Sequence, residues 1–432
     1  MSKITTTKKT FEYKDNSQYL PPIYEVQKDV EGYITSFSVE QQTEYTEFFN
    51  KFGFVVIRDV LSKSECQKTI EDIWDYIESF KWASYHDSMK NEEKTIKRND
   101  PKTWEGTWPN LSQEGIVGYP PVFSETTIAN RSNPKIYSIY STLLNRKDLY
   151  INHDRFGFFR PTKDCKLPFP NITPDHQLNN GEQSTEKTTK TTTTTEATTT
   201  TTTIETSTET ATATTKATST ATSTTTIMKS DFNKWKTSEN LHLDLNPFSF
   251  IEDENDDNRK KVFSTLTYKS GEDFFIENNQ PEFIDLNVMN IQGLINLCDN
   301  KKEDGGFIVV PGFHSHIKEW TLNNAKTKEQ YGYHSNFVCI EPGNPLYSRA
   351  IRVTARHGSL ILFNQKLLHG SSPNNNHRPR MAMFLKMFGS NQIPKETLER
   401  RQQSIKQCFE KNKIKTDHLN ELQRKTLGLE LW

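Results

Sequence analysis

Two polar residues lie two positions apart in the apolar segment LHLDLNPF, where His242 and Asp244 alternate with leucines. On a β-strand, side chains at positions i and i+2 point to the same face, so the imidazole and the carboxylate would lie side by side. Imidazole nitrogen and carboxylate oxygen together suit a divalent transition metal. Taken alone, the pair is better explained by a turn-capping role, so a metal site needs a further ligand from elsewhere in the chain.

A later segment, GSLILFNQKLLHGSSPN, offers that ligand, because His369 follows an apolar strand and a short turn. Two histidines and one carboxylate on one face of an octahedron are typical of non-haem Fe(II) oxygenases. Arg380 opens the next apolar run, eleven residues after His369. A guanidinium binds a carboxylate through two parallel charge-assisted hydrogen bonds, so Arg380 is the candidate for binding a dicarboxylate co-substrate.

Other polar residues compete for these roles or add to them. Arg378 is the alternative to Arg380, but it precedes a proline, which favours an extended or turn conformation and hence a loop. His377 is expected to be exposed in the same loop. Gln292 and Asn296 share a parity in the apolar run NIQGLINL, so they point to one face of a strand. Both are candidate cofactor-binding residues, and pairing with the backbone is the alternative.

Two further pairs of neighbouring polar residues that include histidine could suggest metal sites. His314 and His316 follow a Pro-Gly turn without a carboxylate at suitable spacing, so we expect them in a loop. His153 and Asp154 are adjacent, and adjacent residues of a strand point to opposite faces, which argues against a shared metal.

A group of residues around the aromatic segment DRFGFFRPT could line a pocket. In such a pocket, Arg155 and Arg160 would bind an acidic substrate. Surface salt bridges are the simpler interpretation of the two arginines. Trp235 is expected in the core or in a pocket wall.

The elements before these motifs follow a helix–strand–helix pattern over Ser38 to Phe80. Gly53 should end the first helix, FVVIRDV should form the strand, and Ser62 should cap the second helix. A further helix is predicted over Asn133 to Asn145, and INHDRFGFFRPT is predicted to be one strand.

Short strand-like runs recur in the second half of the chain, separated by turn signals such as SGED, KKEDGG and EPGNP. The runs are NLHLDL, VFSTLTY, DLNVMNIQGLINLC, GGFIVVPG, IRVTA, SLILFNQKLLHG and RMAMFLKMF. Such spacing is typical of a β-sandwich or jelly roll rather than of a βαβ fold.

Composition divides the chain into four parts. Residues 184–226 are almost wholly Thr with Glu, Lys, Ala and Ser, so we predict that they are disordered. We expect this tract to be an insertion in a surface loop, because a longer loop adds little to the entropy cost of loop closure. Residues 1–37 are predicted to form a flexible arm, and 38–183 with 227–393 a single jelly-roll domain. Residues 394–432 are predicted to be helical and to pack on that domain.

Charge and cysteine content exclude several classes of protein. The net charge of −1 without a basic stripe argues against a nucleic-acid partner. No apolar run reaches the roughly 20 residues that a membrane span needs. The five cysteines are scattered without a C-x-x-C motif, which favours a reducing, cytoplasmic location. Nothing in the sequence indicates the oligomeric state.

Several segments in order resemble the phytanoyl-CoA dioxygenase family of Fe(II)/2-oxoglutarate oxygenases. They are FFNKFGFVVIRDVLSKSECQK, HLD, DGGFIVVPGFHSH, and GSLILFNQKLLHGSSPN followed by an arginine. The resemblance covers most of the chain from about residue 45 to about residue 390, apart from the Thr-rich tract and the irregular segment 81–133.

This resemblance implies a mainly β fold, a double-stranded β-helix (jelly roll) with flanking helices. It implies His242, Asp244 and His369 as Fe(II) ligands, and Arg380 on the distal carboxylate of 2-oxoglutarate. The implied reaction is O2-dependent C–H hydroxylation of a small organic substrate, with release of succinate and CO2.

Two alternatives stay open. One is a metal-dependent cupin-type enzyme that does not use 2-oxoglutarate, which would have no need of Arg380 in this place. The other is a non-catalytic jelly-roll binding protein, although such a protein would be expected to have lost at least one ligand.

Overall fold

Two antiparallel sheets form the framework of the fold. The computed structural model describes residues 14, 19–79, 96–105, 108, 115–118, 122–167, 226–228, 235–248, 289–331, 337–392 and 395–432. They belong to one unit, Met1–Thr173 with Thr226–Trp432, whereas a second unit, Pro174–Thr225, lies outside the described residues. The predicted disorder of the Thr-rich tract and the predicted strand VFSTLTY also fall outside them.

The strands are short, as the turn signals predict. In chain order they are β1 (Phe54–Ile57), β2 (Ile116–Val117), β3 (Leu149–Ile151), β4 (Phe156–Phe159), β5 (Cys165–Leu167), β6 (Thr226–Met228), β7 (Asn240–Leu243), β8 (Ile291–Asn296), β9 (Gly306–Val309), β10 (Val338–Ile340), β11 (Ile351–Arg352), β12 (Leu360–Asn364), β13 (His369–Ser372) and β14 (Arg380–Gly389).

The strands pair in three groups. A seven-stranded sheet has the order β1-β12-β8-β14-β4-β2, with β3 also paired to β14. A five-stranded sheet has the order β10-β7-β13-β9-β11. The strands on either side of the Thr-rich tract, β5 and β6, pair with each other as a separate ribbon.

The helices lie before, between and after the strands. They are α1 (Gln42–Phe52), α2 (Lys63–Ser79), α3 (Glu125–Arg131), α4 (Pro134–Leu144), α5 (Phe313–Leu322), α6 (Ala325–Tyr331), α7 (Lys395–Lys411) and α8 (Glu421–Leu427). No helix within the described residues is both long and apolar enough to cross a membrane.

Local sequence signals set the boundaries of the first elements. Gly53 ends α1 in the left-handed conformation, with φ of 79°, and its N–H bonds to the carbonyl of Phe49. Ser62 and Glu65 form a reciprocal capping box at the start of α2, with the Ser62 N–H 2.7 Å from the Glu65 carboxylate. These boundaries agree with the predictions.

Alternation along β14 separates two apolar layers. Met381, Met383 and Leu385 pack with residues of α2 and α4 on the helical side of the large sheet. Ala382 and Phe384 join the layer between the two sheets, which also includes Phe307. The predicted double-stranded β-helix with flanking helices is therefore confirmed, and the space between its sheets is where inward-pointing polar residues would meet.

The segment INHDRFGFFRPT is not one continuous strand, so that prediction is wrong. β3 ends at Ile151 and β4 begins at Phe156. Between them, Arg131 donates to the carbonyl of Asp154 at 2.6 Å, and the buried His153 bonds to the carbonyl of Leu427 at 3.0 Å. These contacts with helices take the intervening residues out of regular pairing.

Both terminal segments contact the domain. Ile34, in the predicted N-terminal arm, is buried, and Phe37 forms a bridge to Ile57 of β1. In the C-terminal segment, Arg401 of α7 is buried and donates to the carbonyl of Ile151 at 2.6 Å.

Candidate metal centre

The structure brings His242, Asp244 and His369 together at the small sheet. β7 and β13 pair antiparallel with His369 directly opposite His242, and the two ring centroids are 4.6 Å apart. Asp244 follows β7 and lies close to both rings, with carboxylate oxygens 3.6 Å from His242 Nε2 and 3.5 Å from His369 Nε2. One potential ligand atom from each residue lies within 4.8 Å of the others, so a single metal ion could bind all three.

His369 has the tautomer that metal binding needs. Its Nδ1 lies 2.9 Å from the carbonyl oxygen of Leu367. Because a carbonyl can only accept, Nδ1 carries the proton and Nε2, on the side of Asp244, keeps its lone pair.

The ionisation states also fit a metal site. Burial opposes the charged form of Asp244, but the close imidazoles of His369 and His242 outweigh it, so the pKa of this carboxyl lies well below its usual range. Burial, together with the neighbouring His369, lowers the pKa of His242 to about 4. At neutral pH Asp244 is therefore a carboxylate and His242 a neutral imidazole, the forms that bind metals.

Two glutamines hold Asp244 from outside the ligand set. Gln292 of β8 donates from Nε2 to Asp244 Oδ2 at 3.1 Å. Gln365, just after β12, donates to the Asp244 carbonyl at 3.3 Å. Gln292, a candidate cofactor contact from the sequence, thus touches the ligand carboxylate, whereas sequence reasoning missed Gln365.

Aromatic rings form a wall beside His369. Phe363 of β12 and Phe307 of β9 have ring centroids 4.6 Å and 5.9 Å from the His369 ring. Neither residue was predicted from the sequence. The signal that could have found them is strand parity, since Phe363 lies opposite Gln292 in the pairing of β12 with β8.

Arg380 lies at the start of β14, as predicted, and is only 3% exposed. Gly306 and Gly157 make room for it, because a Cβ at either position would lie 2.8 Å or 3.1 Å from guanidinium atoms. Among the described residues, Asn296 accepts its one side-chain hydrogen bond, at 3.4 Å. Phe159 lies beneath the guanidinium at 5.4 Å from the ring centroid.

Among the described residues, no carboxylate forms a hydrogen bond or an ion pair with Arg380. Its Nε is buried and has no hydrogen-bond partner in that part of the chain. Burial lowers the pKa of this guanidinium to about 10, which still leaves it charged at neutral pH. A buried cation with unused donors is a site for an anion, because an uncompensated charge in the interior is costly.

Arg378 is engaged elsewhere, in the loop where the sequence places it. Its guanidinium donates to the buried carboxylate of Asp304 at 2.9 Å and to the carbonyl of Asp299 at 2.8 Å. His377, predicted to be exposed in this loop, is half-buried. Arg380, not Arg378, is therefore the arginine that could receive a ligand.

The other histidine pair does not lie in a loop, so that expectation is wrong. His314 and His316 fall in the first turn of α5, whose backbone continues past the Pro-Gly turn as a helix. His314 bonds to the carbonyl of Asn50 at 3.1 Å and His316 to the hydroxyl of Tyr24 at 3.0 Å. These contacts attach α5 to neighbouring segments.

The two arginines of the DRFGFFRPT segment differ in their contacts. Arg155 pairs with Asp154 at 3.2 Å, as the salt-bridge interpretation predicts. Arg160 instead lies between the rings of Trp108 and Trp235, at 4.8 Å and 5.0 Å from their centroids. Trp235 is buried, which agrees with its predicted place in the core.

Fold and site together define a class of protein. The fold is a double-stranded β-helix, and its inward-facing residues supply two imidazoles, one carboxylate and a separate buried guanidinium. The donor set suits Fe(II) with open coordination positions, and the guanidinium suits a co-substrate carboxylate. These features are typical of jelly-roll oxygenases of the non-haem iron type.

Comparison with known proteins identifies the family. The sequence model of the family "Phytanoyl-CoA dioxygenase (PhyH)" matches residues 281–382. A Dictyostelium discoideum protein named "Putative phytanoyl-CoA dioxygenase" is 31% identical over 430 residues, covering 94% of this chain and 98% of that protein. The chain therefore belongs to the phytanoyl-CoA dioxygenase family, which supports a dioxygenase-type function.

Solved structures with some similarity were also found. GIG2 (DUF1479) from Candida albicans has a TM-score of 0.46 at 11% identity, over 91% of this chain and 79% of that chain. The non-heme alpha ketoglutarate dependent epimerase SnoN has a TM-score of 0.37 at 11% identity, over 81% and 84%. EctD from S. alaskensis, with 2-oxoglutarate and 5-hydroxyectoine, has a TM-score of 0.36 at 12% identity, over 90% and 86%. Family membership rests on the Dictyostelium relative and not on these structures.

Proposed function

We propose that the protein is an Fe(II)- and 2-oxoglutarate-dependent dioxygenase that hydroxylates a C–H bond of a small organic substrate. The observation that carries this proposal is the combination of the three convergent ligands with the buried, uncompensated guanidinium of Arg380. The ligands alone would also suit a cupin-type enzyme. Arg380 favours an enzyme that binds a dicarboxylate, because such a molecule reaches the metal with one end and the arginine with the other.

Each residue of the site has a distinct part in this proposal. The Nε2 atoms of His242 and His369 and the carboxylate of Asp244 bind the metal, and Gln292 keeps one oxygen of that carboxylate hydrogen-bonded. Arg380 binds the distal carboxylate of 2-oxoglutarate through donors that have no other carboxylate partner in the described chain. When bound, Fe(II) and 2-oxoglutarate supply the oxidising chemistry, which consumes O2 and yields succinate, CO2 and a hydroxylated product.

Two aromatic rings exclude water from one side of His369. Phe307 and Phe363 pack on the His369 ring, and their own centroids are 4.6 Å apart. These two rings keep water away from one side of His369, and the exclusion of water strengthens electrostatic interactions there.

The test is 2-oxoglutarate binding to protein loaded with Mn(II), measured by calorimetry under anaerobic conditions. Arg380→Gln should weaken binding at least about tenfold, because charged hydrogen bonds contribute about 1.5–3 kcal/mol. Arg378→Gln is the matched control, since that arginine already pairs with Asp304, and it should lower thermal stability but leave 2-oxoglutarate affinity unchanged. Equal affinities of wild type and Arg380→Gln would contradict the proposal.

A further inference from the structure

Asn240 contacts both of the strands that carry the ligand histidines. It opens β7 two residues before His242, and its Oδ1 lies 3.0 Å from His242 Nδ1. On its other side, Nδ2 donates to the hydroxyl of Ser371 in β13 at 3.0 Å. The side chain therefore links the first ligand histidine to the strand of the second.

The hydrogen bonds around Asn240 fix which way its amide points. Nδ2 also faces the carbonyl oxygen of Ser238 at 3.5 Å, and a carbonyl can only accept. The NH2 group must therefore lie on that side, and the amide oxygen must face His242. An amide oxygen accepts only, so His242 Nδ1 carries the proton, and Nε2 keeps the lone pair that faces Asp244.

The backbone of Asn240 is fixed as well. Asn240 lies opposite Ser371 in the pairing of β7 with β13. Gly370 packs so closely on it that a Cβ at position 370 would lie 1.8 Å from the Asn240 carbonyl oxygen. The packed backbone thus fixes where the amide oxygen lies relative to the His242 imidazole. A hydrogen-bond acceptor must be held in this way to orient a metal ligand.

We propose that Asn240 is a positioning residue, which holds His242 in the tautomer and ring orientation that direct Nε2 to the metal. The inference rests on the metal site proposed above and adds a residue outside its ligand set. The carboxamide oxygen of Asn240 is the functional group. A side chain that keeps a hydrogen-bond acceptor at this position should therefore keep the metal affinity.

The experiment measures Co(II) binding to metal-free protein by calorimetry and by the visible d–d absorption band, which reports the ligand geometry. Asn240→Leu removes the acceptor and should weaken Co(II) binding about 10- to 100-fold, with a changed d–d band. Asn240→Asp keeps an acceptor at the same position and should bind Co(II) within a few-fold of wild type, or more tightly, with the wild-type band.

Tyr347→Phe is the matched control for loosening of the strand. The Tyr347 hydroxyl accepts from the Leu241 N–H at 3.1 Å and donates to the Ile340 carbonyl at 3.1 Å, so it holds β7 without touching the His242 ring. This variant should bind Co(II) as wild type does. An equal loss of affinity in Tyr347→Phe and Asn240→Leu would mean that only strand packing matters, and it would overturn the proposal.

Two other outcomes separate this inference from the proposed function. Wild-type affinity and an unchanged band in Asn240→Leu would overturn the role of Asn240 alone, while loss of Co(II) binding in His369→Ala would still support the metal site. Absence of Co(II) binding in folded wild-type protein would instead remove the metal site, and the inference with it.

Discussion

Asp244 is held by groups from different parts of the chain. Gln292 reaches its carboxylate from the large sheet, Gln365 reaches its carbonyl from the turn after β12, and the two imidazoles flank it from the small sheet. The carboxylate is thus oriented by contacts that do not depend on the metal. A site held in this way loses little conformational freedom when it binds an ion.

Gly306 packs against the guanidinium of Arg380. Its φ is 102°, and a Cβ there would lie 2.8 Å from the guanidinium of Arg380. Gly306→Ala should therefore displace Arg380 and weaken 2-oxoglutarate binding by roughly tenfold or more, the equivalent of one charged hydrogen bond. Calorimetry with Mn(II)-loaded protein measures this.

Gly343→Ala is the control for backbone strain. Gly343 also has a positive φ, of 88°, but a Cβ there would meet nothing within 4 Å. Both alanine variants should lose about 1–2 kcal/mol of stability from the left-handed backbone. Only Gly306→Ala should lose 2-oxoglutarate affinity, and a similar loss in Gly343→Ala would show that strain rather than contact with Arg380 is responsible.

Strand parity predicted that His242 and Asp244 share one face, and ligand chemistry together with their order in the chain suggested His369 and Arg380 as their partners. The contact of Gln292 with Asp244 could not be predicted, because it depends on how two different sheets face each other. Neighbouring sequence carries no information about that distance.

At the scale of elements, local signals decide where helices begin and tertiary contacts decide where strands break. The capping box of Ser62 and Glu65 is readable from the sequence, and α2 starts where it predicts. The break between β3 and β4 is not readable, since it follows from contacts of Asp154 with α3 and of His153 with α8. Long-range hydrogen bonds here override the strand pattern.

Ser62→Ala tests the contribution of that cap. It removes the side chain that accepts from the Glu65 N–H, and it should lower the free energy of unfolding by about 1 kcal/mol. Urea unfolding followed by circular dichroism measures the change. Ser64→Ala, at an exposed position two residues further along, is the control and should alter stability by less than about 0.5 kcal/mol. Equal effects of the two substitutions would argue against the cap.

At the scale of the whole molecule, the recurrence of short strands predicted a β-sandwich or a jelly roll, and the family resemblance singled out the double-stranded β-helix. The order of strands within the two sheets was not predictable, since it depends on pairings between distant segments such as β1 with β12. The pairing of β5 with β6 brings the two sides of the Thr-rich tract together. Because the tract begins and ends at the same place in the fold, its length does not alter the positions of the other strands.

Deletion of residues 186–225 tests this arrangement. The remaining residues 168–185 are enough to connect β5 and β6, so the shortened protein should fold and bind Co(II) with wild-type affinity. Thermal unfolding and calorimetry measure both properties. Loss of folding on deletion would mean that the tract contains an element on which the domain depends.

The most direct measurement is anaerobic titration of metal-free protein with Fe(II) and then with 2-oxoglutarate, followed by visible absorption. We expect a metal-to-ligand charge-transfer band to grow with 2-oxoglutarate in wild type, and to be absent in His369→Ala, which lacks one of the three ligands. Folded wild-type protein that binds Fe(II) but develops no such band on addition of 2-oxoglutarate would contradict the proposed function.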